Sequence, residues 1–161
     1  MQSLHAIKVD YRNEQHMAEL TNLLQMYAND PMGGNAPIAN DVLEKLPQAL
    51  QARPFMYSLL VYENQLPVAF ANCIESFSTF SASGVMNIHD FAVVPSHRGR
   101  GVSQFLMQEI AELARGIGCT KLTLEVLAGN TSAVRAYEKA GFTAYQLSPE
   151  MGDAMFWQKP L

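Results

Sequence analysis

The chain has 161 residues, 48% of them apolar and 16% charged, a balance that builds a buried core and excludes a disordered chain. Eleven basic against fifteen acidic residues give a formal charge of −4. That excludes a sequence-independent nucleic-acid binder, which needs a basic face to displace counterions. Cys73 and Cys119 lie isolated in apolar stretches, so no disulfide framework or C-x-x-C redox pair is expected. No apolar run approaches the roughly 20 residues that cross a bilayer, so no membrane contact is expected. The first residues lack a basic-then-apolar leader, and the expectation is a cytoplasmic protein.

In chain order, residues 7–11 read as a short strand. Asn13 is placed to cap a helix in which Met17, Leu20, Leu23, Leu24 and Tyr27 recur at helical spacing. Asn29-Asp30-Pro31 stops it, and Gly33-Gly34 opens a loop. Asn40 or Asp41 can cap a second helix with Val42, Leu43, Leu46 and Leu50 on one face; Pro47 should kink or shorten it. Residues 55–62 and 67–77 form a predicted hairpin, followed by a long strand over 85–94. A helix over 102–117 buries Phe105, Leu106, Ile110, Leu113, Ala114 and Ile117, and Gly118 ends it. A strand over 121–126, a helix over 131–140 with Gly141 at its end, and strands over 142–147 and 154–158 complete the chain. There are no repeats and no linker, so residues 1–161 are expected to form a single domain. The order implies one mixed sheet covered by helices on both faces.

The turn Pro95-Ser96-His97-Arg98-Gly99-Arg100-Gly101 opens the helix that follows the long strand. Amides at a helix start, at the positive end of its dipole, make a site for an anion such as a diphosphate. A P-loop requires lysine followed by Ser or Thr after the glycines, and these are missing. A dinucleotide turn requires a third glycine where Gln104 stands. Glu125 would then be the ribose acid, but the turn comes too late in the chain for six parallel strands.

The segment resembles motif A of the GCN5-related N-acetyltransferases: Arg or Gln, two residues, Gly, one residue, then Gly or Ala. Arg98, Gly101 and Ser103 occupy those places, Ser103 departing from the pattern while remaining small. Residues 130–142 are similar to the family's motif B, with Asn130, Ala133, Tyr137 and Gly141-Phe142 at its spacing. The resemblance implies the acyl-CoA N-acyltransferase fold, a mixed, twisted, mostly antiparallel sheet of about six or seven strands flanked by helices. It also implies acetyl-CoA as cosubstrate. Backbone groups of Phe91, Ala92 and Val93 would pair with the pantetheine arm, and Arg98, Gly99, Arg100, Gly101, Val102, Ser103 and Gln104 would hold the pyrophosphate. Asn130 and Ala133 would line the same cleft. The two parallel strands must splay to admit the ligand, which calls for a bulge.

Acetyl transfer to an amine needs a base for the ammonium proton, stabilisation of an oxyanion, and an acid for the leaving thiolate. Tyr137 matches the motif tyrosine and is the candidate acid. His89 and Asp90 are the candidate bases, mid-strand and on opposite faces by simple alternation. His89 stands where polyamine-type members carry a glutamate, and residues 77–80 resemble the corresponding segment of those enzymes. Asp30, Glu75 and the negative charge suit a cationic amine. Cys73 and Cys119 have no neighbouring His to activate them, and no His/Cys/Asp grouping has metal-ligand spacing. The expected activity is acetyl transfer to a small primary amine. The alternatives are a protein lysine or N-terminal acetyltransferase, or a non-catalytic acetyl-CoA-binding module. A homodimer is compatible with the family.

Overall fold

A computed structural model describes residues 3–161. The contacts divide the chain into two compact units, the first running to Leu124 and the second comprising Glu125–Leu161. Among the described residues no helix is long and apolar enough to cross a membrane.

The first unit holds a five-stranded sheet in the order β1-β2-β3-β4-β5: β1 Leu4–Lys8, β2 Met56–Glu63, β3 Leu66–Ser78, β4 Ser83–Val93 and β5 Cys119–Leu124. The first four strands pair antiparallel and β4 pairs β5 in parallel. A mostly antiparallel sheet is incompatible with the dinucleotide fold, whose strands run parallel. The hairpin joining β2 and β3 closes at Glu63 opposite Leu66. Its two loop residues, Asn64 and Gln65, both have positive φ, 50° and 72°, as a type I′ turn requires.

Helix α1, Glu14–Ala28, starts where Asn13 accepts from the His16 amide. Its Met17, Leu20 and Leu23 join Val9, Leu60, Tyr62, Phe70 and Ala92 in one apolar cluster. Helix α2, Asn40–Gln51, adds Leu50. Ala39, with no side-chain cap bond, takes the capping position expected of Asn40 or Asp41. Pro47 lies inside α2 without ending it: Leu46 and Leu50, on either side of the proline, pack against the core. That burial outweighs one lost backbone bond. Val42, expected inside, is exposed. Helix α3, Val102–Gly116, buries Val102, Leu106, Ile110 and Ala114, a ridge with a four-residue step. It packs against the sheet, to which β2 and β3 also present Leu59, Val61, Ala69 and Ala71. These residues alternate with Leu60 and Phe70 and so occupy the opposite face.

The expected six or seven strands become five. Neither 142–147 nor 154–158 forms a strand; the pairing there is one isolated bridge, Gln146↔Asp153, whose second residue precedes the later segment, with a 3₁₀ turn at Pro149–Met151 between. Tyr145, Leu147, Met155, Phe156 and Trp157 are all exposed, so neither segment acquires the covered face that holds a strand in register. The first strand is also displaced. It ends at Lys8 because Asp10 turns the chain, its side chain accepting from the Arg12 amide and its carbonyl from the Asn13 amide.

Gly84, at the start of the β4–β5 pairing, is tightly approached: a Cβ there would lie 2.8 Å from the Cys119 sulfur, so one of the two must shift. Gly84→Ala is expected to cost about 1–3 kcal/mol in urea unfolding. Cys119→Ala in the same chain should recover part of that loss, and no recovery would contradict the clash.

Candidate active site

β4 departs from its neighbours at one residue. Ile88 lies opposite Cys73 and Asp90 opposite Asn72, so His89 is an extra residue in β4. Pairing with β5 reaches Leu124 opposite Ile88 and stops there, whereas β4 continues to Val93 beside β3. The bulge that the resemblance called for therefore sits where the parallel pair ends. The extra residue also interrupts the simple alternation along β4. Cys73 and Asn72 are consecutive and face opposite ways, so Ile88 and Asp90, two apart, do so as well. His89 is exposed and Asp90 half-buried.

Phe91, Ala92 and Val93 form the end of β4, opposite Ala71, Phe70 and Ala69. Beyond them Pro95–His97 makes a 3₁₀ turn, and Gly99 and Gly101 take φ of 73° and 86°, a region costly for residues with a Cβ. Gly101 is the N-cap of α3 and no side chain caps it. The helical ladder begins with the Phe105 amide donating to the Gly101 carbonyl. The amides of Val102, Ser103 and Gln104 precede that bond. A Cβ on Gly99 or Gly101 would meet nothing within 4 Å, so the turn is open beside its backbone. Open backbone, glycines at positive φ and a helix start without a side-chain cap fit the diphosphate of a CoA ester.

Acids meet the turn's basic side chains. Glu63 takes His97 Nε2 at 3.1 Å on one oxygen and Arg100 Nη2 at 2.9 Å on the other. Asp30 accepts from Arg98 Nη2 at 2.9 Å, while Arg98 Nε donates to the Val93 carbonyl at 3.0 Å. The Met32 amide first, and then Arg98, hold the Asp30 carboxyl below the usual carboxylate range. Asp30, read from sequence as suiting a cationic amine, is paired with Arg98 of the turn. Glu75 accepts from the Tyr57 hydroxyl. Sequence reasoning missed Glu63 because its partners lie 34 and 37 residues away and only the sheet register brings them together.

Cys73 is buried, and desolvation, with the Asp90 charge behind it, pushes its thiol up to about 12. Burial and then Glu75 raise the Cys119 thiol. Neither is poised as a nucleophile.

The second unit contains α4, Thr131–Lys139. Asn130 caps it, its side chain accepting from the Ala133 amide at 3.2 Å. At the other end the Phe142 amide reaches the Tyr137 carbonyl and the Gly141 amide reaches that of Glu138, with Gly141 at φ 92°. This is a Schellman closure, and its hydrophobic contact is the Tyr137 ring edge-on to Phe142, 6.0 Å between centroids. The spacing Asn130…Tyr137…Gly141-Phe142 thus has a local physical basis as the two caps of one short helix.

The profile of the Acetyltransferase (GNAT) family matches residues 11–142. Streptothricin acetyltransferase of Streptomyces lavendulae is 42% identical over 57 residues, 35% of this chain and 30% of that protein. The chain thus matches about a third of that relative's length. A probable acetyltransferase of known structure superposes with TM-score 0.79 at 19% identity, over 98% of this chain and 99% of that one. AAC(6')-Iy, solved with the bisubstrate analog CoA-S-monomethyl-acetylneamine, superposes with TM-score 0.76 at 16% identity, covering 99% of each.

Two outcomes are expected. In native protein at pH 8, iodoacetamide should leave Cys73 unmodified, mass spectrometry showing adduct only after unfolding; rapid native labelling would contradict its burial. Asp30 has a lowered carboxyl pKa, so its stabilisation is present above the unfolded value of about 3.9 and is lost as pH falls through the folded value. The acid-induced loss of stability below about pH 4 should accordingly be shallower in Asp30→Asn than in wild type.

Proposed function

This chain belongs to the acetyltransferase (GNAT) family, and on that premise we propose that it moves acetyl from acetyl-CoA to a primary amine of a small molecule, by direct attack within a ternary complex. The observation that carries this reading is the sequence of events along one strand. β4 acquires its extra residue at His89, leaves β5, and runs straight into the glycine turn and the start of α3. A ligand with an extended amide-bearing arm and a diphosphate needs a strand edge and a helix start in that order. The small-molecule acceptor is supported by the relative named for streptothricin and by AAC(6')-Iy with its CoA-linked neamine.

In this reading the amides from Gly99 to Gln104 hold the diphosphate, with Arg98 and Arg100 beside them. The backbone of Phe91, Ala92 and Val93 takes the pantetheine arm, and Asn130 and Ala133 contribute to the same binding. Acetyl-CoA, when bound, supplies an acetyl carbonyl activated as a thioester. His89 or Asp90 takes a proton from the acceptor ammonium, whose ordinary pKa of about 10 otherwise keeps it unreactive at neutral pH. The amine nitrogen forms the C–N bond, β4 amides stabilise the oxyanion, the nitrogen releases its second proton to solvent, the C–S bond breaks, and Tyr137 protonates the thiolate and regains its proton from solvent. Direct attack accords with Cys73, whose thiol near 12 is a poor acetyl carrier.

Thiol release from acetyl-CoA should be measured against spermidine, L-lysine, glucosamine and a lysine peptide. Turnover with a small amine, and intersecting rather than parallel double-reciprocal plots, is the expected result. Release with none of them would overturn the reading, and release with the peptide alone would move the acceptor to proteins. Tyr137→Phe should lower kcat by roughly 10²–10⁴-fold while calorimetric CoA binding stays unchanged. A wild-type kcat in that variant would remove Tyr137 as the acid.

A further inference from the structure

Ser58 on β2, Asn72 on β3 and Asp90 on β4 stand directly opposite one another across the sheet. They share the face of Leu60, Phe70 and Ala92, the row beside them that packs into the α1–α2 core. Ser58 is fully buried and Asn72 only 6% exposed. Burying a hydroxyl and a carboxamide where the next row uses apolar groups is unfavourable unless every polar atom is satisfied.

These groups are satisfied in one direction. Ser58 Oγ donates to Asn72 Oδ1 at 2.6 Å, and Asn72 Nδ2 donates to Asp90 Oδ2 at 2.9 Å. The Tyr11 hydroxyl lies 3.0 Å from Ser58 Oγ. A serine has one proton, and Ser58 gives it to Asn72, so Tyr11 is the donor in that pair. Every donor from Tyr11 onward therefore points toward the Asp90 carboxylate, an arrangement in which successive bonds polarise one another. The far end is Tyr11, which lines an open cleft of about 420 Å³ with Lys8, Gln51 and Tyr57. A carboxamide in the middle of the chain does not pass protons, since doing so would require an imidic acid. The row is a brace and not a wire.

We propose that Asn72, backed by Ser58 and Tyr11, is a positioning residue that fixes the Asp90 carboxylate by Oδ2 and so presents Oδ1 to the acceptor amine. This rests on the reading of Asp90 as the proton acceptor. The titratable groups coupled to Asp90 are Tyr27 from α1 and, on the other face of β3, Cys73, with Tyr11 reached through the chain and His89 adjoining it. Burial raises the first three, so they carry no charge in the range where a carboxyl titrates.

The test uses full-length protein labelled with ¹³C-aspartate, in a His89→Gln background that removes the adjoining charge. The carboxyl-carbon titration of Asp90 is followed with and without Asn72→Ala, and this arm needs no acceptor. Loss of a donor to the carboxylate should raise the titration midpoint by about one pH unit. Tyr11→Phe, which leaves the buried pair intact, should move it less and in the same direction. In parallel, kcat with spermidine, L-lysine or glucosamine is measured for Asn72→Ala, Asp90→Asn and the double variant. Asn72→Ala should cost about 10–100-fold in kcat, move the acid limb of the profile upward, leave CoA binding unchanged, and cost nothing further once Asp90 is Asn. A midpoint unmoved in both variants, or an equal kcat loss in the Asp90→Asn background, would overturn the positioning role. A midpoint that rises while Asp90→Asn keeps wild-type turnover would instead refute Asp90 as the base, and the proposal with it.

Discussion

The site depends on β4 keeping its antiparallel partner while giving up its parallel one. From Phe91 to Val93 the strand is held opposite Ala71, Phe70 and Ala69, three residues of the fully buried interior of β3. That support lets pairing with β5 end at Ile88 without loosening the end of β4. The extra residue at His89 absorbs the mismatch, and bulges of this kind re-aim side chains next to reactive positions. It also allows Ile88 to face one side and Asp90 the other, placing the carboxylate beside Asn72.

A second principle governs the glycine turn. Its three basic side chains are met by Glu63 and Asp30, so their charge is largely balanced within the protein. What the turn offers an anion is therefore chiefly backbone: amides ahead of the first α3 hydrogen bond, beside two glycines whose missing side chains leave the approach open. The proposed diphosphate site is thus compatible with a chain of net charge −4 and needs no strongly basic surface.

Elements with a local cause were legible in the sequence. Asn13 caps the helix it was expected to cap, and Gly118 and Gly141 take positive φ just past helix ends. The β2–β3 hairpin and α3 follow from their apolar periods. Features set by register were not legible. The bulge at His89, the row Ser58–Asn72–Asp90 and the grip of Glu63 on the basic turn join residues 14 to 37 positions apart. No local pattern marks them. The last two expected strands failed for the converse reason: their local pattern is strand-like, but Leu147, Phe156 and Trp157 remain exposed.

The hairpin turn at Asn64-Gln65 carries a consequence of its own. It places Glu63 as the last residue of β2, and both turn residues hold backbone angles that suit glycine or asparagine better than glutamine. Glu63 in turn bridges His97 and Arg100. A tip of two residues, remote in sequence from the glycine turn, is therefore mechanically in series with it. Natural variation at that tip offers drift a route to shift the glycine turn while every residue of the turn itself stays unchanged.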